Sequence, residues 1–134
     1  MGMVMKELRE KHGAGAIAEL SLRDIESMKQ EVVVVDGVRS MAEIEIFKRA
    51  GEVRLLAVLA SPQRRFQLLT SRGRTDAPTS EESFRQRDER ELSIGIGTAI
   101  AMADEAISNE HVTAEELGSS ALKVLDTWMK SLGR

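Results

Sequence analysis

Apolar residues Val4, Leu8, Ile17, Leu20, Leu22, Ile25 and Met28 recur at roughly helical spacing across residues 3–29. A Gly13-Ala14-Gly15 break interrupts them, so the pattern predicts two helices rather than one. The period then changes. Val32 to Val35 form an unbroken β-branched run bounded by Asp36-Gly37, the signature of a strand buried on both faces of a parallel sheet. Ser40-Met41-Ala42-Glu43 has the form of a capping box and predicts a helix of about ten residues, to Arg49. Val53 to Ala60, apolar except for Arg54, repeats the buried-strand pattern, and Ser61-Pro62 stops it while starting a helix with proline in the first turn.

After Arg72-Gly73-Arg74 the chain turns polar through Thr75 to Pro78. Thr79-Ser80-Glu81-Glu82 then reads as a second capping box, opening a helix that contains Phe84 and Leu92. Ile94 to Ala103 is apolar with two glycines, and Ala106 to Ser108 fits a short last strand. Thr113-Ala114-Glu115-Glu116 is a third capping box; the helix behind it runs to about Leu132, with Leu117, Ala121, Val124, Leu125, Trp128 and Leu132 in one apolar stripe. Helices alternating with short apolar strands predict an α/β domain whose parallel sheet is covered by helices on both faces. In such sheets ligands sit at the carboxyl ends of strands, which singles out Asp36 to Arg39 and Ser61.

Length and composition narrow the possibilities. A chain of 134 residues, 42% hydrophobic and 31% charged, predicts one folded domain with a single core. The net charge of −3 argues against wholesale binding to nucleic acid or anionic membrane. No apolar run approaches the roughly 20 residues that a transmembrane helix needs, and the amino-terminus does not read as a secretory signal, so the expectation is a cytoplasmic protein with no membrane partner. Cysteine is absent, which removes disulfides, cysteine-ligated metals and thiol nucleophiles. His12 and His111 are too few and too far apart for a histidine metal site.

Charge placement is more informative than its total. All six lysines lie outside residues 49–122, whereas seven of the thirteen arginines, Arg64, Arg65, Arg72, Arg74, Arg85, Arg87 and Arg90, fall between positions 64 and 90. A planar guanidinium with five fixed donors suits bidentate phosphate binding, and a phosphate-bearing ligand is therefore the leading candidate. A solvated surface paired with Glu81, Glu82, Asp88 and Glu89 accounts for the same pattern. Asp36 can hold a magnesium-bound water or accept a proton, and Arg39 can grip a substrate phosphate; a turn Asp-Gly with a surface Arg is the bland reading of the same residues. Gly95-Ile96-Gly97 lacks the third glycine of a dinucleotide fingerprint and fits close backbone packing. No Gly-x-x-x-x-Gly-Lys-[Ser/Thr] segment occurs in these 134 residues.

Together, Val32 to Ser40, the Ser61-Pro62 turn, Arg72-Gly73-Arg74 with Asp76, Arg87-Asp88-Glu89-Arg90-Glu91-Leu92 running into Gly95-Ile96-Gly97, and Ala103-Asp104 leading to Asn109 resemble one family. It is an archaeal group of P-loop nucleotide kinase-like proteins related to adenylate kinase and dephospho-CoA kinase, and the resemblance runs from about Gly2 to Met129. The chain looks like that family without its amino-terminal P-loop segment, whose strand in that fold lies between those matching 32–35 and 53–60 here. The resemblance implies a three-layer P-loop kinase-like sheet truncated at its amino-terminus, forming one domain over residues 1–134 with a lid-like insertion at 73–92. It also implies ATP and Mg2+, with a nucleotide or other phosphate-containing small molecule as partner.

By the same resemblance, Asp36 matches the strand-end acid that approaches magnesium through water, and Arg39 the arginine holding the acceptor's phosphate, here one residue closer in spacing. Arg72 and Arg74 match lid residues closing over donor phosphates, with Arg87 and Arg90 reaching in from the next helix and Asn109 near the adenine. Asp36, Arg87 and Arg90 are thus the catalytic candidates. The expectation is an ATP-dependent nucleotide or dephospho-CoA-like kinase-related domain, weak or inactive alone for want of the Walker A loop. A non-catalytic anion- or nucleotide-binding module, or an oligomeric interaction module, is the alternative. Unpaired strand edges would favour self-association.

Overall fold

The computed structural model describes residues 15–73 and 80–133, and these form two compact units. The first holds residues 15–54 and 89–102; the second holds 55–73, 80–88 and 103–133. The order of elements is α1 (Ala16–Ser27), α2 (Met41–Phe47), β1 (Leu56–Leu59), α3 (Pro62–Ser71), α4 (Glu81–Ile94), α5 (Ile96–Ala101), β2 (Glu105–Ser108) and α6 (Ala114–Ser131). The architecture is mixed α/β with a small two-stranded parallel sheet.

In the first unit, α1 and α2 bury their apolar faces on each other. Ala18 and Leu22 from α1 meet Ile46 and Phe47 from α2, with Ile25, Val38 and Val53 at the margin. Arg49 and Glu19 pair at 2.8 Å across the outside. Ser40 caps α2 by accepting from the Glu43 backbone N–H, and the Glu43 carboxylate accepts from the Arg39 N–H and the Ser40 hydroxyl, both at 3.1 Å. The carboxylate thus reaches one residue further back than a standard capping box requires. Gly95 joins α4 to α5 with φ +119°, a left-handed conformation, and a Cβ there would stand 3.7 Å from the Arg39 carbonyl oxygen. A side chain would be strained at this φ, which is why the joint carries glycine.

The predicted strand at Val32 to Val35 does not form: this segment has no regular structure and Val34 is 76% exposed. β-branched residues favour a strand only where a ladder and a covering surface receive them, and among the described residues no strand pairs with this run. The predicted helix to Arg49 ends at Phe47, with its last residues in a turn. Of the reading across 3–29, only the second helix falls within the described residues.

In the second unit, β1 and β2 pair in parallel from Leu56 opposite Glu105 to Leu59 opposite Ser108. β1 occupies only the middle of the predicted 53–60 stretch, whereas β2 adds one residue to the predicted 106–108. The Asp104 and Asn109 N–H groups, at the two ends of β2, donate to the Leu55 and Leu59 carbonyls at 2.9 and 2.7 Å. α6 packs against β2 and opens with the predicted Thr113/Glu116 capping box. α3 begins at Pro62 behind the Ser61 cap, as predicted. The start of α4 uses Ser80 and Ser83 reciprocally, each side chain bonding to the other's backbone N–H; Thr79, the cap expected from the sequence, lies outside the described residues. No helix among the described residues is long and apolar enough to cross a membrane.

Candidate nucleotide-binding cleft

The carboxyl ends of β1 and β2 open onto a cleft of about 520 Å³ in the second unit, lined by Ser61, Gln63, Arg64, Gln67, Glu110, His111, Val112 and Thr113. Two chain segments make it: the first turns of α3, following β1, and the loop from β2 to α6. Side chains tie them together. The Ser61 N–H and hydroxyl both donate to the Glu110 carboxylate, at 2.7 and 2.6 Å. Arg64 reaches across the same gap, donating from Nε to the Asn109 carbonyl at 3.0 Å and from a terminal nitrogen to the Val112 carbonyl at 3.2 Å.

These bonds set the local electrostatics. The hydroxyl and N–H of Ser61 hold the Glu110 carboxyl below the usual carboxylate range, with smaller help from the charges of His111 and Arg64 and against a small desolvation effect. Glu110 is therefore a fixed anion and Arg64 a fixed cation. Between them the cleft presents the Gln63 and Gln67 amides, the His111 imidazole and the Thr113 hydroxyl. Amide, imidazole and hydroxyl edges beside a guanidinium can match a heterocyclic base and an attached anionic group.

The residues singled out from sequence fall in both units. Asp36 stands exposed at the end of the valine run in the first unit. Arg39, half-buried in the same unit, pairs through Nε with Glu91 at 2.8 Å, which brings it to the carboxyl-terminal part of α4, where Arg90 stands exposed. In the second unit, Arg72 is exposed at the carboxyl end of α3, Arg87 is half-buried on α4, and Asn109 adjoins the cleft through its bond to Arg64. Arg74 lies outside the described residues. Sequence reasoning reached Ser61 and Asn109 but passed over Glu110, Gln63 and Gln67. The strand-end rule that found Ser61 finds Glu110 as well, once it is applied to the short strand at 106–108.

Comparison with known proteins places the chain among archaeal relatives. A UPF0200 protein of Methanosarcina mazei is 38% identical over 133 residues, covering 97% of this chain and 70% of the relative. The chain belongs to the UPF0200 family. The UPF0200 proteins of Hyperthermus butylicus and Sulfurisphaera tokodaii are 43% and 42% identical over 118 and 120 residues, 88% and 90% of this chain. The chain spans 63% and 66% of the length of these two UPF0200 relatives. No family model matches it.

Proposed function

We propose that this chain is the nucleotide-binding part of an ATP-dependent phosphoryl-transfer domain of the nucleotide kinase or dephospho-CoA kinase kind, with a P-loop kinase-like three-layer sheet as its parent architecture. The observation that carries the reading is the cleft at the carboxyl ends of two parallel strands, the position at which α/β sheets bind their ligands. In this reading Asn109 and the loop behind it receive the adenine. Arg72, Arg74, Arg87 and Arg90 neutralise donor phosphates, Arg39 holds the acceptor's phosphate, and the acceptor is a nucleotide or a nucleotide-containing coenzyme. Phosphoryl transfer asks mainly for positioning and charge neutralisation, which arginines can provide.

Mg2+ would neutralise phosphate charge. Among the described residues no three acidic or histidine side chains converge on one point, and Asp36 is exposed. In this reading the cation is held chiefly by ligand phosphates and water, with Asp36 contributing through water. With no Walker A segment in these 134 residues, we expect turnover by this chain alone to be absent or very low.

The test is thermal unfolding with and without millimolar ATP and Mg2+. A ligand at about 100 times its Kd adds roughly 2.7 kcal/mol to stability. The expected result is an ATP-specific rise in Tm that Arg87→Ala and Arg39→Ala each diminish. An equal rise with inorganic phosphate would reduce the cleft to a general anion site, and no rise would remove the nucleotide reading.

A second reading is favoured by the exposed Val32, Val34 and Val35 and the two-stranded sheet: an oligomeric interaction module in which apolar segments pair between copies. Light scattering during size-exclusion chromatography checks it. A clean monomer would count against self-association.

A further inference from the structure

Arg65 is set apart from the other arginines of its cluster. Its Nε donates to the Ala60 carbonyl at 3.1 Å, and its two terminal nitrogens donate to the two oxygens of the Asp88 carboxylate, the longer contact being 3.3 Å. The guanidinium carbon also lies 5.6 Å from the centre of the Phe84 ring. Phe84 is buried and meets Phe66 edge to face, with ring centres 5.5 Å apart at 65°. One side chain therefore joins the residue before the Ser61 cap, at the end of β1, to α4. A planar fork can hold a carboxylate, a carbonyl and a ring face at once, which an ammonium cannot.

Positions 84, 87 and 88 are three and four apart and share one face of α4. Arg87 consequently lies on the face that Arg65 engages, next to the carboxylate that Arg65 holds, and all of these residues belong to the second unit. We propose that Arg65 is a positioning residue: through Asp88 and Phe84 it fixes α4 against the cleft-bearing end of β1, and so sets where Arg87 meets a nucleotide phosphate. The inference rests on the assignment of Arg87 to phosphate binding made above.

Two measurements separate this inference from that assignment. The chain contains no cysteine, so spin labels at Thr70→Cys on α3 and Gln86→Cys on α4 report the spacing of these helices without background. The distance distribution is expected to be narrow in the parent chain and broader in both Arg65→Lys and Asp88→Asn. Lysine keeps the charge and asparagine keeps the shape, so neither should rescue. An unchanged distribution in both variants overturns the inference whether or not ATP binds.

The second measurement is calorimetric titration of the full chain with ATP and Mg2+, where each variant should lose about tenfold in affinity, equal to about 1.4 kcal/mol. Broadened distances with unaltered affinity would make Arg65 merely structural and overturn its positioning role. A parent chain that binds no ATP overturns the nucleotide reading and the functional half of this inference, while the distances still report whether Arg65 holds the two helices together.

Discussion

Glu110 has a lowered carboxyl pKa, and its cause is local. Two donors from one residue, Ser61, converge on its carboxylate, and nothing equivalent stabilises the protonated form. Because folding lowers this pKa, the group contributes stability that is fully present above its unfolded value and is lost as pH falls through the folded one. Glu116 behaves in the same sense, its carboxyl lowered by the Thr113 N–H and hydroxyl. Glu110→Gln should therefore lower Tm near neutrality and reduce the fall in Tm between about pH 7 and about pH 3, leaving the part due to Glu116 and other carboxylates. Melting curves across that range check it. A variant whose melting falls as steeply as the parent's would remove Glu110 from the acid response.

At the scale of elements, two apolar segments of the first unit have different weights. Val34 is largely exposed, whereas Phe47 is buried between α1 and α2. Val34→Thr should change stability by less than about 0.5 kcal/mol, whereas Phe47→Ala should cost about 3–5 kcal/mol, as core aromatic truncations do. Denaturant unfolding of the two variants checks both values. A large loss at Val34 would mean that the valine run is covered after all.

Three helix starts were legible because their signals are local, whereas α5, within the apolar Ile94 to Ala103 stretch, was not read as a helix. Ser40, Ser61 and Thr113 are caps that a reader can see in four consecutive residues, and each starts its helix as expected. The strands were less so, since a strand is completed by a partner distant in sequence. Val53 to Ala60 narrows to four paired residues because β2 offers only four, and Val32 to Val35 has the composition of a strand without a described partner. The cleft was half legible: the strand-end rule located its Ser61 side, but the bond from Ser61 to Glu110 spans 49 positions and no pattern of spacing announces it.

At the scale of the whole chain, the second unit is held differently from the first. The first has a cluster of apolar side chains shared by α1 and α2. In the second, the ladder is four residues long, and a two-stranded sheet of that length is marginal by itself. The contacts that close its carboxyl end are made by side chains, namely Ser61 with Glu110, and Arg64 with two carbonyls. That division gives the two units different kinds of fastening. Protonating Glu110 weakens the rim of the cleft without touching the apolar contact between α1 and α2, and because this carboxyl is held below the usual range, that loss needs stronger acid than an ordinary carboxylate would. The rim of the cleft is thus a pH-dependent fastening, whereas the contact between α1 and α2 is an apolar one.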